Sequence, residues 1–306
     1  MNADEDGQPA LHEVTLTWGL LALTALVVLV AYARLPPGEL YNVGEGGGGG
    51  GAGRALVFVN YPVALAAIAL VALVAERVRR AWATAAAVLA TGLCAVVAWP
   101  GVVDPADLDA KPVNAIPALG VLLALALTVL ALHRGGLGHL VPPSRLDAFR
   151  ILLVVVLLVA AIPWEAAELG FSPDLEPVFL TGQPYPEPGH PELIAVHKGH
   201  HHGTDGTLLA LVALALSRQS ARLRSRLGPA LGFYLALMLV YGLANALQDF
   251  WLEQLVKRGA TAAELPSMLR PSLSPAWAAI VAAALLIHFA ASRVGTFRWP
   301  RTGGAL

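Results

Sequence analysis

The sequence predicts an all-α integral membrane protein, a polytopic bundle of about eight transmembrane helices with both termini cytoplasmic. Two features of the composition and one of the charge pattern predict it. Of 306 residues, 57% are hydrophobic and only 13% are charged, whereas a soluble domain carries about a quarter charged residues. The apolar mass is mostly Ala, Leu and Val in long blocks, and a membrane helix needs about 20 such residues. Lys and Arg alternate in density from loop to loop, as they do where one set of loops faces the cytoplasm.

The blocks fall at roughly 14–33, 55–75, 82–99, 114–133, 149–170, 197–217, 229–251 and 275–292. The first follows Asp4, Glu5 and Asp6 and is long enough to span, so it reads as a membrane helix rather than a cleaved signal. Between the first two blocks Glu45 to Gly53 is a glycine-rich stretch that reads as a flexible loop. The second block carries Asn60-Tyr61-Pro62 and the fourth opens on Asn114 to Pro117, which predict kinks. The fifth ends Pro163-Trp164-Glu165-Ala166-Ala167-Glu168. A proline-rich loop over 172–196 follows, expected to be irregular and to lid whatever lies beneath it. Two of its residues, His190 and Glu192, are placed to dip into such a site.

Orientation comes from the basic residues. With both termini on one side, that side's loops hold 13 of the 20 Lys and Arg, all of them arginine, while the other side holds 15 of the 21 acidic residues. The arginine-rich side is therefore expected to be cytoplasmic, in the cell membrane. A net charge of −1 gives no footprint for nucleic acid. The single cysteine, Cys94, excludes an internal disulfide or a thiolate-rich metal site.

Ionisable residues inside membrane helices are rare unless used or paired. Three groups stand out: Glu165 and Glu168 at the end of the fifth span; His197, His200, His201, His202 and Asp205 leading into the sixth; and Asn245, Gln248, Asp249 and Glu253 at the end of the seventh. The topology puts all three at the extracytoplasmic ends of their helices, so one polar pocket is expected there. The apolar run from Gly206 to Ser217 is short for a crossing. A helix starting near His197 would restore the length and gather His197, His200, His201, Thr204 and Asp205 into an arc of about 140°. On its opposite face Gly199, Gly203 and Gly206 would admit a close neighbour.

Imidazole and carboxylate are ligands for divalent transition metals, zinc or iron above all. The expected ligands are His197, His200, His201 and Asp205, with Glu165, Glu168 and Asp249 completing the shell or acting as acid–base groups. The simpler readings are a solvated histidine loop, helix-ending glutamates, and surface ion pairs of Asp249 and Glu253 with Lys257 or Arg258.

The string His197-x-x-His200-His201 resembles one histidine box of the membrane-bound fatty-acid desaturases and hydroxylases, which implies iron ligation. One such box is present here, where that family uses several. His201-x-x-x-Asp205 with the upstream glutamates is similar to intramembrane glutamate proteases of the CAAX-processing kind. In this chain Glu165 and Glu168 are separated rather than adjacent. Three functions follow as expectations: a metal-dependent membrane hydrolase or oxidoreductase acting on a lipid-like or amphipathic substrate; a transporter or channel for a metal ion, proton or small solute; or a non-catalytic subunit of a membrane complex. The apolar cytoplasmic halves of the fifth and sixth spans, Ile151 to Ile162 and Leu208 to Leu216, favour a one-sided pocket over a continuous path.

Overall fold

The computed structural model describes residues 10–35, 53, 56–99, 101–103, 110–140, 143–185, 194–196, 198–199, 201–220, 223 and 227–296. Of the described residues 77% are helical, with nearly no sheet. Its helices are α1 (His12–Arg34), α2 (Leu56–Val78), α3 (Ala81–Ala95, continued by a 3-10 turn), α4 (Ala115–Gly135), α5 (Arg145–Glu168), the one-turn α6 (Glu176–Phe179), α7 (His202–Ser220), α8 (Leu227–Trp251) and α9 (Pro275–Thr296). The expected loop over 172–196 is more regular than predicted. Beyond α6 its described part forms strands β1 (Thr181–Pro184) and β2 (Ile194–Val196), paired antiparallel. The stretch over 45–52, His190 and Glu192 lie outside the described residues.

Local sequence explains the helix ends. Ser144 opens α5 with a capping box, its backbone N–H donating to Asp147 Oδ2 at 2.7 Å. Asn114 Oδ1 accepts from the Lys111 N–H at 2.6 Å before α4. Pro62 removes a backbone donor from α2, and the chain there widens into a π-helical turn over Val59–Val63.

Among the described residues seven helices are long and apolar enough to cross a membrane: α1 to α5, α8 and α9. The eighth expected span is α7, which differs in kind: thirteen of its nineteen residues are buried. It packs against α8, α5, α1 and α2, so its Asp205 is buried in protein and its Arg218 half-buried. By contrast Ile151, Val155 and Val159 of α5 and Leu286 and Phe289 of α9 point outward.

One expectation is corrected here. The sixth helix begins at His202, not near His197. Lys198 and Gly199 form a turn, Gly199 adopts φ +86°, and its N–H donates to the Glu168 carbonyl at 2.8 Å instead of extending a helix. The length is recovered at the other end, through Ser220; nineteen residues rise about 28 Å, close to the hydrocarbon thickness.

Of the expected glycine face, Gly203 and Gly206 admit close neighbours, while Gly199 lies in the turn before the helix. A Cβ on Gly206 would lie 2.5 Å from the Gly242 carbonyl oxygen of α8, and one on Gly242 would lie 2.5 Å from the Gly206 oxygen. The two backbones touch at this crossing. One turn earlier, a Cβ on Gly203 would enter the Trp164 ring of α5. At the opposite end of α7, Arg218 bridges Glu13 of α1 at 3.3 Å and Asp147 of α5 at 3.0 Å. Gln219 donates to Glu13 at 2.6 Å, and Arg150 joins Asp147 and Ser217, each at 2.7 Å.

Gly206→Leu is expected to destabilise the protein by about 3 kcal/mol through overpacking, read as a lowered unfolding temperature in detergent. Gly92→Leu on α3, where a Cβ meets nothing within 4 Å, should be neutral or mildly stabilising.

Candidate functional site at the start of α7

The first turn of α7 collects side chains from five elements. His201 precedes the helix and its carbonyl accepts from the Asp205 N–H at 2.9 Å. That turn lays the two side chains together, and His201 Nδ1 meets Asp205 Oδ1 at 3.0 Å. The imidazole is 2% exposed. Tyr32 and Phe58 approach it edge-on, with ring centroids at 5.9 and 6.1 Å, and His202 stacks on it at 5.6 Å. Its other nitrogen, Nε2, is buried without a hydrogen-bond partner. The preceding turn is held by the Tyr32 hydroxyl, which donates to Gly199 O at 3.0 Å, and by a Lys198–Glu176 ion pair at 2.9 Å.

The carboxylates lie around the same turn. Asp249 of α8 accepts the Gly203 N–H through Oδ2 at 2.7 Å. A neighbouring helix thus supplies the acceptor that a capping side chain normally gives, and its charge suits the positive end of the helix dipole. Asn245, one turn before Asp249, donates to the His202 carbonyl at 3.3 Å. From α5, Glu165 Oε1 accepts the Thr207 hydroxyl proton at 2.5 Å. Glu168 is 1% exposed and takes a long contact of 3.4 Å from Gln254 Nε2. Glu168 lies within electrostatic reach of Asp249, Glu253 and Glu165, and Glu165 within reach of Asp249 and Asp205.

Of the expected site residues, His201, Asp205, Glu165, Glu168 and Asp249 therefore meet at one end of the bundle. They meet in two groups: His201, bonded to Asp205, faces α1 and α2 through Tyr32 and Phe58, while Glu165, Glu168 and Asp249 lie between α7, α5 and α8. His197 and His200 lie outside the described residues. Among the described residues no three His, Cys, Asp or Glu side chains gather into a group able to hold a metal ion. Glu253 pairs with Lys257 at 3.0 Å, but both are buried, where the simpler reading expects a surface pair.

A tyrosine pair escapes the sequence reading. The hydroxyls of Tyr61 and Tyr241 meet at 2.8 Å and both approach the Leu269 carbonyl, at 2.8 and 2.9 Å. Trp277 stacks on Tyr241 at 5.3 Å, and Asp205 is in electrostatic reach of both hydroxyls. Its one local signal is the Asn60-Tyr61-Pro62 string inside a span. Gln254 also escapes it, on the π-helical turn Leu252–Val256 that continues α8. Its Nε2 donates to Phe179 O at 3.0 Å, and Arg258 donates to Val178 O at 2.7 Å, pinning α6 over the carboxylates.

No family model, curated protein or solved structure matches the chain.

What the arrangement can do follows from its chemistry. A carboxylate on one imidazole nitrogen fixes the tautomer and aims the other nitrogen, which then serves as a proton acceptor or a metal ligand. Carboxylates nearby in a dry setting supply acid–base groups. Asp249 also has a structural task, so Asp249→Ala is expected to cost about 1–2 kcal/mol through loss of the cap, with Asp249→Asn recovering most of it. Thermal unfolding of the three proteins side by side checks this.

Proposed function

We propose that this chain is a metal-dependent membrane enzyme, hydrolytic or oxidative, acting on a lipid-like or amphipathic substrate at the extracytoplasmic side of the cell membrane. In this reading α7 is an eighth crossing, and the arginine-rich end and both termini are cytoplasmic. The observation that carries it is His201: a buried imidazole, held by Asp205 at Nδ1, with Nε2 unpartnered. His201 is assigned as a ligand through that nitrogen, His197 and His200 as the donors that complete the set, and Asp205 as ligand or orienting partner. Zinc or iron suits such a donor set and would supply a Lewis acid. Glu165, Glu168 and Asp249 are assigned as acid–base groups.

A lipid-like substrate is favoured by the place of Glu165. It is half-buried on the outermost flank of the site, on α5, whose Ile151, Val155, Val159 and Ile162 face outward. An acyl tail lying along that stripe would bring its head to Glu165. The transporter reading is weaker because α7 from Leu208 to Leu216 is entirely Leu, Ala and Val, which offers an ion no polar step.

The test is elemental analysis of protein purified without a His tag. One zinc or iron per chain is expected, lost in His201→Ala, reduced about 10- to 100-fold in affinity by Asp205→Asn, and kept in His133→Ala. Metal content unchanged by His201→Ala would overturn the assignment. A metal-free wild type would overturn it as well.

A further inference from the structure

The opposite end of the bundle carries a second surface, unrelated to the histidine site. Between α2 and α3 the chain turns on Arg79 and Arg80, with Arg79 in the left-handed region at φ +48°. Arg77, Arg79, Arg80 and Trp82 flank this turn, and Arg79 pairs with Glu76 at 3.5 Å. The end of α4 packs against it: Arg77 Nη2 donates to the Gly135 carbonyl at 3.0 Å, and the Arg134 guanidinium lies over the Trp82 ring at 5.3 Å. Four arginines here face one acidic residue, Glu76, a formal +3 before His133 is counted.

On the outward side of α4, ending at His133, lies a shallow apolar hollow of about 520 Å³. Leu122, Leu125, Ala126, Val129 and Leu130 line it, and His133 closes it next to Arg134. Leu122 and Val129 are 60% and 57% exposed, so the groove opens sideways. Trp82 is partly exposed at its head, where an amphipathic ring belongs at the headgroup level of a membrane.

We propose that this surface binds an anionic phospholipid, with its phosphate among Arg79, Arg80 and Arg134 and one acyl chain along the α4 groove. The occupant follows from the two parts together. A shallow apolar strip whose His133 end adjoins Arg134 in the chain matches a molecule with an acyl tail and a negative head. A zwitterionic lipid brings its own cation to the arginines, and a free phosphate leaves the groove unused.

Native mass spectrometry of the full chain in neutral detergent tests this, with phosphatidylglycerol, phosphatidylcholine of the same acyl chains, and inorganic phosphate as probes. Each basic residue near a headgroup contributes on the order of fivefold. Phosphatidylglycerol should therefore bind at least about tenfold more tightly than either other probe, and Arg80→Gln/Arg134→Gln should weaken it roughly 25-fold. Val129→Trp, at a position 57% exposed, should reduce binding of long-chain phosphatidylglycerol but spare a short-chain form. Equal retention of phosphatidylcholine, equal retention of phosphate, or phosphatidylglycerol binding unchanged in both variants would overturn the proposal. None of these outcomes bears on metal content at His201.

Discussion

The structure depends on satisfying one helix start inside protein. The first turn of α7 has backbone N–H groups that no residue of its own helix can bond, and it lies buried among other helices. Asp249 answers one of these from α8, and Asn245 binds a carbonyl beside it. Both residues come from a helix that must approach closely, and the glycine-to-glycine crossing of Gly206 and Gly242 makes that approach possible. Backbone contact and side-chain capping are two parts of one solution. Without the crossing, a carboxylate on α8 could not reach the helix end.

That solution brings acidic groups into a dry place, and the rest of the site follows from it. Glu165 and Glu168 come on α5, which leans into the notch left by Gly203 through Trp164. His201 and Asp205 occupy the remaining side of the same turn. Charges at such density in low dielectric are costly unless paired, protonated or metal-bound, and Lys257 answers one of them. An unpartnered imidazole nitrogen beside these groups is the feature least explained by packing alone.

Much of this is legible in the sequence where it depends on local pattern. Apolar blocks place the helices to within a few residues, and the spacing of Asn245, Asp249 and Glu253 marks one polar stripe. The i, i+4 spacing of His201 and Asp205 likewise foretells their contact. What escapes is decided by partners far away in the chain. Gly199 stops the helix because its N–H finds Glu168, and the tyrosine pair joins residues 61 and 241. The Glu13–Arg218–Asp147 network at the other end is similar. Each of those residues has an ordinary local reading, as a turn, a kink or a positive-inside charge.

The polarity of α7 bears on how the chain is made. Standing alone in lipid, with Asp205 near one end and Arg218 near the other, this helix would be a poor substrate for the insertion machinery, since charged residues oppose partitioning. Its neighbour α8 is strongly apolar and follows within a few residues. In the proposed reading, where α7 is an eighth crossing, the two would enter the bilayer as a preassembled hairpin, the later segment carrying the earlier one.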